Sequence, residues 1–218
     1  PSRVFNVGGL GVDCIKNEKL AKKNEIEKKL KINFSKKNII VTFHPVTLEN
    51  NTSKIYFSEI LKSLSKLKDT KIFFTYPNAD ANGRIIIKMI NNYCKKNKNV
   101  YKFKSLGQKY YYSLLNYVDL VLGNSSSGLL EVPTFKIPTV NIGDRQTNRL
   151  KAISVIDCEP NNIDISKAIS KAYSKKFQKK IFDTKNPYGN GGASEKIISI
   201  LKKNKFSFKL KKKFYYIH

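Results

Sequence analysis

The chain has 218 residues, 40% of them hydrophobic, and sets 42 Lys and Arg against 16 Asp and Glu for a formal net charge of +26. That length and apolar content suffice for one large buried core, with or without an appended piece, and exclude disorder of the whole chain. No uninterrupted apolar run approaches the ~18 residues of a membrane span, and the opening PSRVFNVGGLG has neither signal-peptide nor transit-peptide character.

The chain opens on Pro1 rather than Met and enters a predicted strand at once (RVFNV, 3–7), as expected of a piece of something longer. Residues 17–31 predict an amphipathic helix with Leu20, Ile26 and Leu30 on its apolar side. NIIVTF (38–43) is almost uniformly apolar, as in a strand buried on both faces of a parallel sheet, and it ends on His44 and Pro45. A helix follows over 52–68, then the strand KIFFTY (71–76), which ends at the loop PNADANG. Helix 84–96, strand VYKF (100–103), a helix over about 108–117 and strand DLVL (119–122) continue the alternation. A short helix after Gly128, strand TVNI (139–142), strand AISVI (152–156), and helices over 163–174 and 193–203 complete it. Such alternation means βα units wound into a Rossmann-like, doubly wound parallel sheet. The predicted division is a connecting segment over 1–16, an α/β domain over 17–203 and a basic, aromatic tail over 204–218.

Cys14, Cys94 and Cys158 are odd in number and widely spaced, with no CxxC and no His at metal spacing, which points to reduced thiols, a cytoplasmic location and no metal. The charge invites a nucleic-acid reading. Only Arg3, Arg84, Arg145 and Arg149 among the basic residues are Arg, however, and no base-reading motif accompanies the dispersed Lys. Solvated lysine faces account for most of the charge, and a phosphate-bearing small ligand or an acidic partner accounts for the rest.

Ligands of open α/β sheets sit outside the carboxyl ends of the strands. Four polar clusters fall at such ends: His44 and Pro45; Asn78, Asp80, Asn82 and Gly83; Asn124 to Gly128; and Gly143 to Arg149. In LGNSSSGLLEVP, a strand meets Gly123, three serines and Gly128 before a helix. Backbone N–H groups and the helix dipole there can meet a phosphate, Ser125 and Ser126 add hydroxyls, and Gly128 lets the chain pass closely under a ligand. Glu131, about one turn into that helix, suits neutral donors such as the two ribose hydroxyls; a plain capped turn is the other reading. Arg145 can grip a diphosphate with its planar fork or be an idle loop residue. His44 can donate to a phosphate, act as a general acid or base, or be a satisfied structural histidine. Asn78 and Asp80 offer polar recognition. VGGLGVD lacks the spacing and the following helix of a dinucleotide fingerprint and reads as a turn between domains.

Taken in order, HPVT (44–47), PNADANG (77–83), GNSSSGLLEVP (123–133), PTVNIGDRQTNR (138–149) and NPYGNGGASEKI (186–197) resemble the C-terminal half of hydrolysing UDP-N-acetylglucosamine 2-epimerases of the sialic-acid and legionaminic-acid type. RVFNVGGLGVD resembles their interdomain segment. The resemblance implies the C-terminal domain of a GT-B-like, two-domain enzyme that holds the UDP of a UDP-sugar. It implies Glu131 on the ribose, Ser125, Ser126 and Arg145 on the diphosphate, Asn78 and Gly128 beside the nucleotide, and His44 near the phosphates with a catalytic part. Ser127 falls at a variable small-residue position. The implied reaction eliminates UDP to a 2-acetamidoglycal and hydrates it to the free 2-epimer, N-acetylmannosamine, with no cofactor. The implied partners are the UDP-sugar, an N-terminal domain that carries the catalytic carboxylates and, in the complete enzyme, further copies in a homo-oligomer; specific nucleic acid and membrane are not among them. The chain alone is therefore expected to be inactive. A GT-B glycosyltransferase domain and a Lys-rich nucleic-acid-binding domain are the rival readings.

Overall fold

The computed structural model describes residues 4–46, 52–78 and 83–203. Six strands, β1 (Lys37–Thr42), β2 (Thr70–Thr75), β3 (Val100–Phe103), β4 (Leu120–Gly123), β5 (Thr139–Ile142) and β6 (Val155–Cys158), form one parallel sheet in the order β3-β2-β1-β4-β5-β6. From β1 the chain winds outward to β3, returns to the centre at β4 and winds outward the other way. The winding reverses between β1 and β4, so the crevice for a ligand opens at their carboxyl ends. Register brings those ends level, because Thr42 pairs with both Thr75 and Gly123, and Gly123 pairs with Asn141.

The inner strands β1, β2 and β4 are apolar at successive positions because both faces are covered. On one face Ile39, Val41, Ile72, Phe74, Leu120 and Leu122 pack with Phe57, Ile60 and Leu64 of α3 (Thr52–Leu64), Ile86 and Ile90 of α4 (Gly83–Lys96), and Ile165 and Ile169 of α7 (Asn162–Ala172). On the other, Ile40, Phe73 and Val121 pack with Ile26 of α2 (Lys23–Leu30) and Leu114 and Leu115 of α5 (Gly107–Leu115). Phe73 and Phe74 are fully buried on opposite faces, each worth ~2–3 kcal/mol of apolar burial.

Several sequence expectations are corrected. Residues 4–9 form no strand, and a helix, α1 (Leu10–Asn17), follows the glycine pair directly. The helix expected over 17–31 is broken: Glu18 leaves α1 in extended conformation, and Ala21 donates its N–H to Ser113 Oγ of α5 at 2.8 Å, so α2 begins only at Lys23. The strand expected at 152–156 begins at Val155, where pairing with Thr139 starts. A helix absent from the sequence reading, α8 (Lys175–Ile181), is capped by Ser174 Oγ, which accepts from Phe177 N–H at 3.2 Å.

The N-terminal stretch is tied to the end of the domain. Gly9 N–H donates to Tyr188 O at 2.7 Å, and the Asp13 carboxylate accepts from the N–H groups of Ala193 and Ser194 at 3.1 and 2.7 Å, capping α9 (Ala193–Lys203). These bonds, that of the Ser194 N–H foremost, hold the Asp13 carboxyl below its ordinary range. The tail over 204–218 lies outside the described residues.

Candidate functional site

At the switch point, Gly123 has φ +136°, and a Cβ there would stand 1.9 Å from Thr42 O. Only glycine lets the end of β4 run this close to β1. The next residue, Asn124, is the hub of the edge. Its N–H donates to Thr42 O at 3.1 Å. Its side chain accepts from His44 N–H at 2.7 Å through Oδ1 and donates to His44 O at 2.8 Å through Nδ2. Its own carbonyl accepts from Arg145 Nη1 at 3.1 Å and from Gln146 Nε2 at 2.8 Å. His44 Nδ1 in turn accepts from Asn78 N–H at 3.2 Å, which in the neutral ring puts the proton on Nε2. The loops after β1, β2, β4 and β5 are thus joined through the side chains of Asn124, His44, Arg145 and Gln146. Asn124, His44 and Gln146 are buried, while Asn78 and Arg145 face solvent, where a ligand would meet them.

Downstream, α6 (Ser127–Leu130) is a single turn, so its aligned peptide dipoles contribute less toward an anion than the sequence suggested. Ser125 and Ser126 stand half-buried at its start, and Ser127 N–H approaches Ser125 Oγ at 3.4 Å. Gly128 has an internal reason for being glycine: a Cβ would sit 2.7 Å from Thr139 Cγ2, and Thr139 Oγ1 donates to Gly128 O at 2.9 Å. Packing of α6 on β5 thus requires glycine here whether or not a ligand lies above it. Glu131 is not inside a helix but is the residue between α6 and the short 3₁₀ turn Val132–Phe135. Its Oε1 accepts from Tyr112 OH at 3.0 Å and its Oε2 from Ser127 Oγ at 2.5 Å.

The structure therefore brings His44, Asn78 and Arg145 into one bonded group and sets Ser125, Ser126, Gly128 and Glu131 along the adjoining loop. Sequence reasoning missed Asn124 as the hub, Gln146 as the second donor to it, and Tyr111 and Tyr112 behind Glu131. The position of Asn124 directly after a strand-ending glycine was the available signal for the first; nothing local signals the tyrosines. Thr47, Asp80 and Asn82 lie outside the described residues. Cys14, Cys94 and Cys158 are free, and burial pushes the Cys158 thiol up to about 12, aided by the nearby Asp164, Asp157 and Glu159 charges. Among the described residues no His, Cys, Asp and Glu group suits a metal ion, and no helix is long and apolar enough to cross a membrane.

A doubly wound parallel sheet with polar loops converging on its switch point defines the chain as a Rossmann-like α/β domain of the GT-B-like class. By its sequence the chain belongs to the UDP-N-acetylglucosamine 2-epimerase family, whose signature matches residues 1–202. It is 42% identical over 163 residues to a Campylobacter jejuni GDP/UDP-N,N'-diacetylbacillosamine 2-epimerase (hydrolyzing), covering 74% of this chain and 42% of that protein. It is 35% identical over 206 residues to the polysialic acid biosynthesis protein P7 of Escherichia coli, covering 93% of this chain and 51% of that one. The chain thus spans about half the length of the curated relatives it matches. In fold it is similar to the Methanocaldococcus jannaschii UDP-GlcNAc 2-epimerase solved with UDP-GlcNAc and UDP, at TM-score 0.70 and 22% identity, over 93% of this chain and 56% of that one.

Proposed function

We propose that these residues form the UDP-binding, C-terminal part of a hydrolysing UDP-sugar 2-epimerase. The observation that carries this reading is the Asn124 hub, which ties His44, Arg145 and Gln146 into one rigid group at the switch point. Arg145, whose guanidinium keeps further N–H donors beyond the one given to Asn124, grips the diphosphate together with Ser125 and Ser126. His44 stands beside the phosphates with a catalytic part, Asn78 and Gly128 border the nucleotide, and Glu131 accepts from the ribose. Donors fixed before the reaction stabilise UDP as it departs without reorganising, which is where electrostatic catalysis is strongest. Loss of UDP leaves a 2-acetamidoglycal, and hydration of that intermediate gives the free 2-epimer. Residues 1–16 serve as the connection to the rest of the enzyme, and 17–203 as the nucleotide domain.

Protons at the sugar carbons are moved by carboxylates outside these 218 residues, so the chain by itself binds UDP and does not turn over UDP-sugar. The match to the C. jejuni relative supports a 2,4-diacetamido hexose as the sugar, with N-acetylglucosamine as the alternative. The complete enzyme acts as a homo-oligomer in the cytoplasm, without a cofactor.

Calorimetric titration with UDP at moderate salt tests the reading. Binding that disappears in both Arg145→Ala and Glu131→Ala supports it. A folded chain that ignores UDP, or that binds it equally well in both variants, overturns it. Turnover of UDP-N-acetylglucosamine or its diacetamido counterpart by the pure chain would refute the claim of inactivity.

A further inference from the structure

Glu131 is held in an unusual way for so basic a protein. With 42 Lys and Arg in the chain, none among the described residues pairs with this carboxylate; both of its oxygens take neutral hydroxyl donors, Tyr112 OH and Ser127 Oγ. Ser127 has a single hydroxyl proton and gives it to Glu131, so in the 2.7 Å contact between Tyr111 OH and Ser127 Oγ the tyrosine must be the donor. The relay runs one way, from Tyr111 to Ser127 to Glu131, and Tyr112 closes it from the other side. Burial above all, with the Glu131 charge adding to it, pushes both phenols above their ordinary range and keeps them as donors. Gly11 of α1 lies against the same group, since a Cβ there would meet Glu131 Oε1 at 3.1 Å. The carboxylate therefore cannot swing toward α1.

We infer that Tyr112 and Ser127, with Tyr111 behind them, are positioning residues that fix the Glu131 carboxylate so that it selects a ribose diol. This inference rests on the proposed UDP site and adds the source of its sugar selectivity. A carboxylate offers about four lone-pair positions. Two are taken by Tyr112 and Ser127, one on each oxygen, which leaves one on each oxygen, matched in number to the vicinal 2′- and 3′-hydroxyls of a ribonucleotide. Using neutral hydroxyls as the fixing groups leaves the negative charge uncompensated by a cation, and a charged acceptor makes a stronger bond to a neutral diol than a salt-bridged one. Ser127 and Glu131 are four apart on one turn, so the serine needs only its hydroxyl to act. Tyr112, by contrast, arrives from α5 and is buried to 5% exposure, with no freedom to point elsewhere.

The test titrates the full 218-residue chain with UDP, 2′-deoxy-UDP and 3′-deoxy-UDP, in wild type and in Tyr112→Phe, Ser127→Ala, Tyr111→Phe and Glu131→Gln, with thermal unfolding alongside. Wild type is expected to prefer UDP to each deoxy analogue by roughly tenfold, the discrimination of one hydrogen bond to a charged acceptor. Glu131→Gln should erase that preference. Tyr112→Phe and Ser127→Ala should cut it at least threefold, and Tyr111→Phe less, with each deoxy analogue, which keeps one hydroxyl on Glu131, weakened less than UDP. If the variants keep the full preference, or weaken all three nucleotides alike, the positioning role is overturned and the UDP site stands. If wild type itself ignores UDP, the proposed function falls first and the inference with it. Tyr111→Phe, which acts at one remove, keeps the question open to refutation should Tyr112→Phe unfold.

Discussion

Two regions along the carboxyl edge of the sheet differ in kind. At the centre, between β1 and β4, Asn124, His44 and Gln146 are buried and bonded to one another across three loops. Beside it, a cavity of about 840 Å³ runs from Phe43 and Val46 past Gly143 and Asp144 to Asp157 and Lys171. Part of its polar lining is paired internally: Lys151 Nζ and Asn141 Nδ2 both bond the Asp157 carboxylate, at 2.8 and 2.7 Å, and Lys167 pairs with Asp164 at 3.5 Å. Volume alone does not make a site; donors held in place before a ligand arrives do, because the cost of ordering them has already been met in folding.

The sharpest way to break this contrast is at glycine. Gly123→Ala forces a Cβ to within 1.9 Å of Thr42 O and should destabilise the chain by more than ~3 kcal/mol, read by urea unfolding. Gly143→Ala, at φ +71° but with nothing within 4 Å, should cost only ~1 kcal/mol. Asn124→Ala comes next. It strips the His44 N–H and C=O of a buried partner and should cost ~2–4 kcal/mol, with UDP binding lost in calorimetry even where the variant still folds.

Gly11→Ala presses on Glu131 from 3.1 Å and is expected to weaken UDP severalfold with little change in melting temperature. Glu59 probes the outer half, where its carboxylate bonds Lys62 Nζ and the N–H and Nδ2 of Asn162, joining α3 to α7. These bonds, that of Lys62 first, hold its carboxyl at about 2 against an ordinary 4.5. Because the folded pKa is depressed, the stabilisation is complete above about pH 4.5 and is lost as pH falls toward 2. Glu59→Gln should flatten the dependence of melting temperature on pH in that window and leave UDP affinity at neutral pH unchanged. Smallest of all, Lys151→Ala removes a partly exposed pair at the cavity and should change stability by less than ~1 kcal/mol and UDP affinity by less than twofold.

Much of the fold was legible in the sequence. The runs at 39–41, 72–74 and 120–122 are apolar on both faces, as a buried parallel strand requires, whereas TVNI is apolar on one face only, with Thr139 and Asn141 on the other. Other boundaries depended on distant partners. AISVI is apolar from residue 152, but a strand begins only where a neighbour pairs, and β5 meets it at Val155. The periodicity over 17–31 was real, yet Ser113, 92 residues from Ala21, takes the N–H that would have continued the helix. In KKFQKKI, too few apolar positions marked α8; Phe177 and Ile181 alone are buried there.

The candidate site divides in the same way. Local sequence determined which residue types stand at the strand ends, because glycine, serine, Asn and Arg after an apolar run reflect backbone geometry that is fixed within a few residues. His44, Asn78, Arg145 and Glu131 could all be named from that alone. What each one faces was decided by tertiary structure. The 80 residues between His44 and Asn124, and the 19 between Tyr112 and Glu131, are spanned only when the sheet closes. Hydrogen bonds form between groups near in space, and a one-dimensional pattern carries distance along the chain but not across it.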